Sequence, residues 1–393
     1  MSWRRRHRST HHRLMHAHWA HVGRGAAGLG AAMGIGRFAY TPILPLMTTQ
    51  AAITPELAGQ LATANYAGYL AGALAGTASA RLTRSTVAWR TSLVVLVATL
   101  TAMPFASGAV EWVALRTVAG FTSAVVFVIA VTSMLDHLAD HSPHMSGWGF
   151  GGVGIGIALS AALVLALPQS RWQTAWWTAA ISAAALSAIA WSMAVNPRAA
   201  TESVVQAAPP RRRLDPRFAV LFVSYSLEGI GYIVAGTFLV AAIRESSPGW
   251  LGNGAWLFVG LAAAPSAVLW AWLGARWSHP KLLAAALVLQ AIGIALPAVA
   301  GGRAAALVGA VLFGGTFIGV STMTLAAGRL LQFPGAVALL TAGYSVGQIV
   351  GPVAVTPMLR HGFQYALIAA ALVVVAAAVA AALVRMPQRE PAL

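Results

Sequence analysis

The 393-residue sequence contains no cysteine, which excludes disulfides and thiolate chemistry. It is also short of charge. Asp, Glu, Lys and Arg together fill 9% of positions, where an ordinary soluble domain is about a quarter charged, so most of the chain cannot face water. Catalytic signatures are missing as well. There is no G-x-S-x-G elbow, no H-E-x-x-H pair and no G-x-x-x-x-G-K-[ST] loop for ATP. No catalytic residue, cofactor or metal is therefore expected. The net charge of +16 would suggest nucleic acid in a soluble protein, but no helix-turn-helix, zinc-finger or RNA-binding pattern accompanies it, and a nucleic-acid partner is not expected.

What is present is apolar: 58% of residues are hydrophobic and the mean hydropathy is +0.73. A bilayer-spanning helix needs about 20 mostly apolar residues. Runs of that kind predict spans at 22–47, 57–80, 86–107, 110–135, 147–168, 172–195, 218–243, 250–274, 281–300, 303–327, 333–358 and 363–386. With the N-terminus inside, nineteen Arg or Lys residues fall in cytoplasmic segments or at the inner ends of spans, four in outer loops or at an outer span end, and two well inside spans. That bias predicts both termini in the cytoplasm. Residues 1–21 read as a basic, His-rich cytoplasmic tail and not as a cleaved signal peptide. The polar stretch 196–217, with Pro209, Pro210 and three consecutive arginines from Arg211 to Arg213, reads as a cytoplasmic linker. It divides a six-helix half at 22–195 from another at 218–386, and 387–393 forms a short cytoplasmic C-terminal tail.

The two halves carry a repeat at an offset of 195. Gly34 and Gly36 fall on Gly229 and Gly231, Arg81 on Arg276, and Gly120 on Gly315. Gly152 and Gly156 fall on Gly347 and Gly351. Two parallel six-helix repeats are the plan of major facilitator transporters, in which the halves rock about a site near the bilayer midplane. An all-α integral membrane protein of twelve transmembrane helices follows.

The segment from Gly34 through Arg37 and Tyr40 to Met47 resembles the first-helix signature of the YbfB/YjiJ family of that superfamily. Gln60–Tyr69 and Gly229–Leu239 resemble its second- and seventh-helix segments. Gly76 and Arg81 fit the loop between the second and third helices, although Ala80 stands where the superfamily has aspartate. Arg116 and Gly120 resemble the start of a fourth-helix motif linked in the superfamily to proton coupling. Gly347, Gly351 and Pro352 resemble the antiporter G-x-x-x-G-P motif, but in the eleventh helix instead of the fifth. The resemblance implies a bacterial cytoplasmic-membrane carrier and leaves its substrate open.

Ionisable groups within spans are costly and mark functional candidates. Three qualify: Arg37, Arg116 and Glu228. Arg37 and Glu228 lie on symmetry-related helices and are expected to approach across one cavity, with Glu228 as a proton-exchanging carboxyl. Arg116, near the outer end of its span, could instead snorkel to the interface. Two positive charges and one negative in one cavity lean toward an anionic or zwitterionic solute. Tyr40, Asn65, Tyr66, Tyr69, Tyr225, Tyr232, Tyr344 and Gln348 are candidates to line that cavity. The paired glycines at 34, 36, 152, 156, 229, 231, 347 and 351 are expected to permit close helix packing or hinging. Trp172, Trp176 and Trp177 read as interface anchors. His137, His141 and His144 read as solvated loop residues beside Asp136 and Asp140.

The sequence therefore predicts a monomeric secondary transporter of a small organic solute, embedded in lipid and coupled to protons. Export is favoured over proton-linked uptake of a small carboxylate. A receptor or sensor is the remote alternative.

Overall fold

The computed structural model of the protein describes residues 18–137, 144–167, 171–195, 215–247, 249–274, 276–277, 279–331 and 336–384. The tail before residue 18, linker residues 196–214 and the C-terminal residues from 385 lie outside these, as do Asp140 and His141. The described residues are helical, with no strand among them. The long helices are α1 (18–50), α2 (Pro55–Ala78), α3 (Thr86–Ala102), α4 (Ala109–His137), α5 (His144–Ala166), α6 (Trp172–Ala190), α7 (Pro216–Ser246), α8 (Leu251–Gly274), α9 (His279–Val299), α10 (Gly302–Leu330), α11 (Ala336–Leu359) and α12 (Phe363–Leu383). Nine of them, α3 to α5 and α7 to α12, are long and apolar enough to cross a membrane. In α2 and α6 the Gln, Asn, Thr, Tyr or Trp residues lower the hydropathy, and α1 is broken.

Helix starts follow from capping chemistry. Thr54 accepts a hydrogen bond from Leu57 N–H with Pro55 at the first helical position, Ser85 accepts from Ala88 N–H, and Asp215 accepts from Arg217 N–H with Pro216 next. The break in α1 also follows from sequence. Residues Gly30–Arg37 form a π-helical stretch, after which 38 and 39 leave the regular pattern. Pro42 has no N–H to offer the carbonyl of Phe38, which accepts from Thr41 N–H instead, at 3.2 Å. The Arg37 carbonyl thereby loses its usual donor.

The six-helix halves pack by the same pairs. Helix α2 lies on α4 as α8 lies on α10, α1 on α5 as α7 on α11, and α3 on α6 as α9 on α12. The glycine matches explain two of these contacts. A β-carbon at Gly152 would sit 2.0 Å from the carbonyl oxygen of Ala26, and one at Gly34 would sit 2.5 Å from Cα of Gly156. At the repeat positions, a β-carbon at Gly347 would meet the Ser226 carbonyl at 2.4 Å, one at Gly351 the Ile230 carbonyl at 2.7 Å, and one at Gly229 the Tyr344 carbonyl at 2.5 Å. Gly36 and Gly231 also mark close approaches, against Leu96 and against Ala370 with Val374. One match fails. Gly120 presses on the Asn65 carbonyl, but nothing lies within 4 Å of Gly315; its neighbour Gly314 makes the equivalent contact, on Val259.

The halves meet along α5 with α8 and α2 with α11. The α5–α8 seam is lined by Gly151, Gly154 and Gly260, each against backbone of the opposite helix, which is how small residues let membrane helices approach. Gly152→Val, forcing α1 from α5, is expected to cost roughly 3 kcal/mol. Gly315→Ala should leave stability unchanged or slightly raised. Thermal unfolding of the purified protein in one detergent distinguishes the two.

Candidate functional site

A cavity of about 670 Å³ lies between the halves. Tyr69, Ala73, Phe127, Thr132, Phe150 and Val153 represent its wall from the first half. Tyr225, Tyr232, Phe317, Ser321, Thr341, Tyr344 and Ser345 represent the wall from the second. Among the described residues, no charged side chain lines it. Its lining runs to residues near the α2–α3, α4–α5 and α10–α11 connections.

On the other side of the cavity, from mid-bundle out to where α1 meets α2, α7 meets α8 and α11 meets α12, a set of bonds joins the two halves. Arg37 donates through Nη2 to the Gln348 side-chain oxygen, and the Thr41 hydroxyl donates to the Gly236 carbonyl. The hydroxyls of Tyr66 and Thr237 share a hydrogen bond of 2.7 Å. Arg360 pairs with Glu56 at the edge. The Glu56 carboxyl is held below its ordinary range, first by its own backbone N–H and then by Arg360. Its stabilising contribution is therefore present at neutral pH and lost as the pH falls through that lowered value.

Arg37 is buried, and no carboxylate among the described residues pairs with it. Its guanidinium carbon lies 4.4 Å from the ring centre of Tyr69, 4.8 Å from Tyr66 and 5.4 Å from Phe38. Aromatic faces and one amide oxygen hold a charge that cannot be neutralised by proton loss. The expected approach of Arg37 to Glu228 does not occur here. Glu228 is fully buried on α7 and turns to α9, where Gln290 Nε2 donates to its Oε1 at 3.2 Å. Its Oε2 and the Gln290 Oε1 have no partner. Neither Arg37, Arg116 nor Glu228 lines the cavity. Two positive charges and one negative therefore do not share this cavity, and its described lining does not favour an anionic or zwitterionic solute.

Arg116 does not snorkel. It is 1% exposed and spans the break in α1, donating from Nη1 to the Gly36 carbonyl (3.1 Å) and from Nη2 to the Arg37 carbonyl (3.2 Å). These replace the donors that the π-helical stretch and Pro42 remove. Tyr40 flanks the guanidinium at 5.0 Å and Trp176 at 6.0 Å. Trp172 and Trp176 are accordingly buried, and of the three tryptophans only Trp177 is exposed.

The remaining candidates divide by contact. Tyr69, Tyr225, Tyr232 and Tyr344 line the cavity. Tyr66 and Gln348 belong to the seal. Tyr40 donates to the Ala58 carbonyl and Asn65 Nδ2 to the Arg116 carbonyl, so both brace the first half. His137 ends α4 and stacks on His21 with ring centres 4.2 Å apart. Sequence reasoning passed over Gln290, although an amide alone in the apolar run 282–299 was the available signal. It also passed over Ser345 and Phe317, which nothing distinguishes from ordinary span residues.

Comparison with known proteins agrees with this architecture. Two solved structures of the nucleoside transporter NupG superpose on the chain. A point mutant does so with a TM-score of 0.71 and the other with 0.67, each at 12% identity and covering 92% of this chain and 98% of that one. At that identity the likeness is one of fold. No curated protein sequence matches significantly. Residues 29–384 match the family described as "Uncharacterised MFS-type transporter YbfB", and with nearly the whole helical chain inside that match, the protein belongs to the YbfB-type transporters of the major facilitator superfamily.

Proposed function

We propose that the chain exports a small organic solute across a bacterial cytoplasmic membrane by alternating access, coupled to protons through Glu228. The observation that carries this reading is the arrangement of the seal. Every bond that closes one end of the cavity joins one half to the other, so the halves can part there without breaking either bundle. The glycine-lined α5–α8 seam offers a surface on which they can rock. By the Arg and Lys distribution the open end faces the cytoplasm. A buried carboxyl whose only described partner is a neutral amide can gain and lose a proton, which a coupled carrier requires. Export is suggested by the likeness of Gly347–Pro352 to the antiporter motif. Uptake of a small carboxylate has less support, because no cation lines the cavity.

The absence of native cysteine permits a direct test. A single Thr341→Cys, at a half-buried position in the cavity wall, is expected to react with an impermeant maleimide from both sides in membrane vesicles of known orientation. Adding Glu56→Cys and Arg360→Cys and oxidising that pair should abolish labelling from the sealed side, and reduction should restore it. Labelling from one side only in the unlocked protein would mean a fixed cavity and would overturn alternating access.

A further inference from the structure

We propose that the cavity selects an uncharged, planar ring compound, stacked on the tyrosines of the second half. The proposal rests on the transport reading only in taking this cavity as the solute's site. Three helices supply a ladder of nearly parallel rings. Tyr225 of α7 stacks on Tyr344 of α11 with centres 4.4 Å apart and planes at 15°. Tyr344 lies 5.6 Å from Tyr232 at 15°, and Tyr232 lies 5.5 Å from Phe317 of α10, again at 15°. All four rings line the cavity. Rings sharing one tilt across three helices present parallel faces, and a flat solute entering beside them extends the ladder. The facing wall is different in kind: Phe127 and Phe150 meet at 55° and are set among aliphatic side chains.

Polarity is confined to hydroxyls. Thr341 and Thr322 are spent on carbonyls of their own helices. Ser345 borders the cavity but is only 1% exposed, and its unpartnered Oγ does not reach the cavity surface. The wall therefore offers a solute ring faces and few free polar groups. Charge has no such reception, since no lining side chain is ionisable at neutral pH and Arg37 is engaged with Gln348 in the seal. An ionic solute would be desolvated without a counter-charge.

Four compounds on one carbon skeleton separate these requirements: naphthalene-2-carboxamide, its carboxylate, 2-naphthylmethylammonium, and the saturated decahydronaphthalene-2-carboxamide. Binding to the full-length protein in nanodiscs is measured by equilibrium dialysis, with empty nanodiscs subtracted for lipid partition. The aromatic amide is expected to bind saturably, and both ions at least about 100-fold more weakly. The saturated amide should bind about tenfold more weakly, and Tyr344→Leu should lower affinity for the aromatic amide about tenfold and erase its advantage over the saturated one. If Tyr344→Leu lowers the unfolding temperature, Phe317→Leu takes its place, with the same expected loss for the aromatic amide and the same erased advantage over the saturated one. Ions binding as tightly as the amide, equal binding of the flat and saturated amides, or no saturable binding by any of the four would overturn the proposal. Such a result beside intact two-sided labelling of Thr341→Cys would remove the solute class and leave transport standing.

Discussion

Arg116→Ala is expected to destabilise the folded bundle by about 4 kcal/mol, more than removal of any other charged side chain in the helices. Two buried carbonyls, those of Gly36 and Arg37, would lose donors 3.1 and 3.2 Å away, at about 1–3 kcal/mol for each group left unsatisfied. The space beside Tyr40 and Trp176 would add a cavity term. Lysine should rescue little, because an ammonium is a single point and cannot reach both carbonyls as the planar guanidinium does. The measurement is thermal unfolding in one detergent at fixed protein concentration. A midpoint within a degree or two of wild type would mean that the break in α1 is held by other groups. If Arg116→Lys keeps full stability, the two-point brace is wrong even though the charge matters.

Glu228→Gln should abolish the pH dependence of access to the cavity. The pair with Gln290 has one hydrogen bond made and two oxygens, Glu228 Oε2 and Gln290 Oε1, left without partners. A proton on Oε2 would let the acid donate to the amide oxygen, so acid and amide would bond reciprocally. Ionised, the same carboxyl is a fully buried charge with no cation among its described contacts. The protonated form therefore favours the present conformation, and raising the pH is expected to shift the halves toward the opposite opening. In the Thr341→Cys reporter, the ratio of labelling from the two sides should move at least tenfold across the titration. Glutamine copies the neutral acid and should hold the ratio near its low-pH value throughout. An unchanged pH profile in Glu228→Gln would assign the proton to another group. Gln290→Leu offers a check, since it leaves the carboxyl in place and removes only the amide that receives it.

The helices, their pairing into two related halves and the close-packed glycines were legible because each depends on position along the chain. Twenty apolar residues fix a span, and a shared offset fixes a repeat. The site was legible in depth and not in azimuth. Counting along the chain places Arg37 and Glu228 within their helices, but which neighbour each faces depends on rotation about the helix axis, and the π-helical stretch Gly30–Arg37 alters that rotation within α1. Arg116 shows the same limit from the other side. Its distance from the helix end is compatible with a side chain reaching water, while the packing of α4 on α1 and α2 turns it inward. The aromatic ladder was half visible. Its tyrosines stand out in an apolar run, but Phe317 and Ser345 resemble many residues that merely pack.

The bond from Thr41 to Gly236 joins residues 195 positions apart, which is the offset of the repeat itself. A position can touch its own repeat mate only on the axis that relates the halves, so this bond marks where that axis leaves the closed end. In a two-fold dimer of identical six-helix units, the residue here would meet an identical copy of itself, as isologous contacts require. A single chain carries no such constraint, and the two positions differ: one supplies a hydroxyl donor and the other a main-chain acceptor.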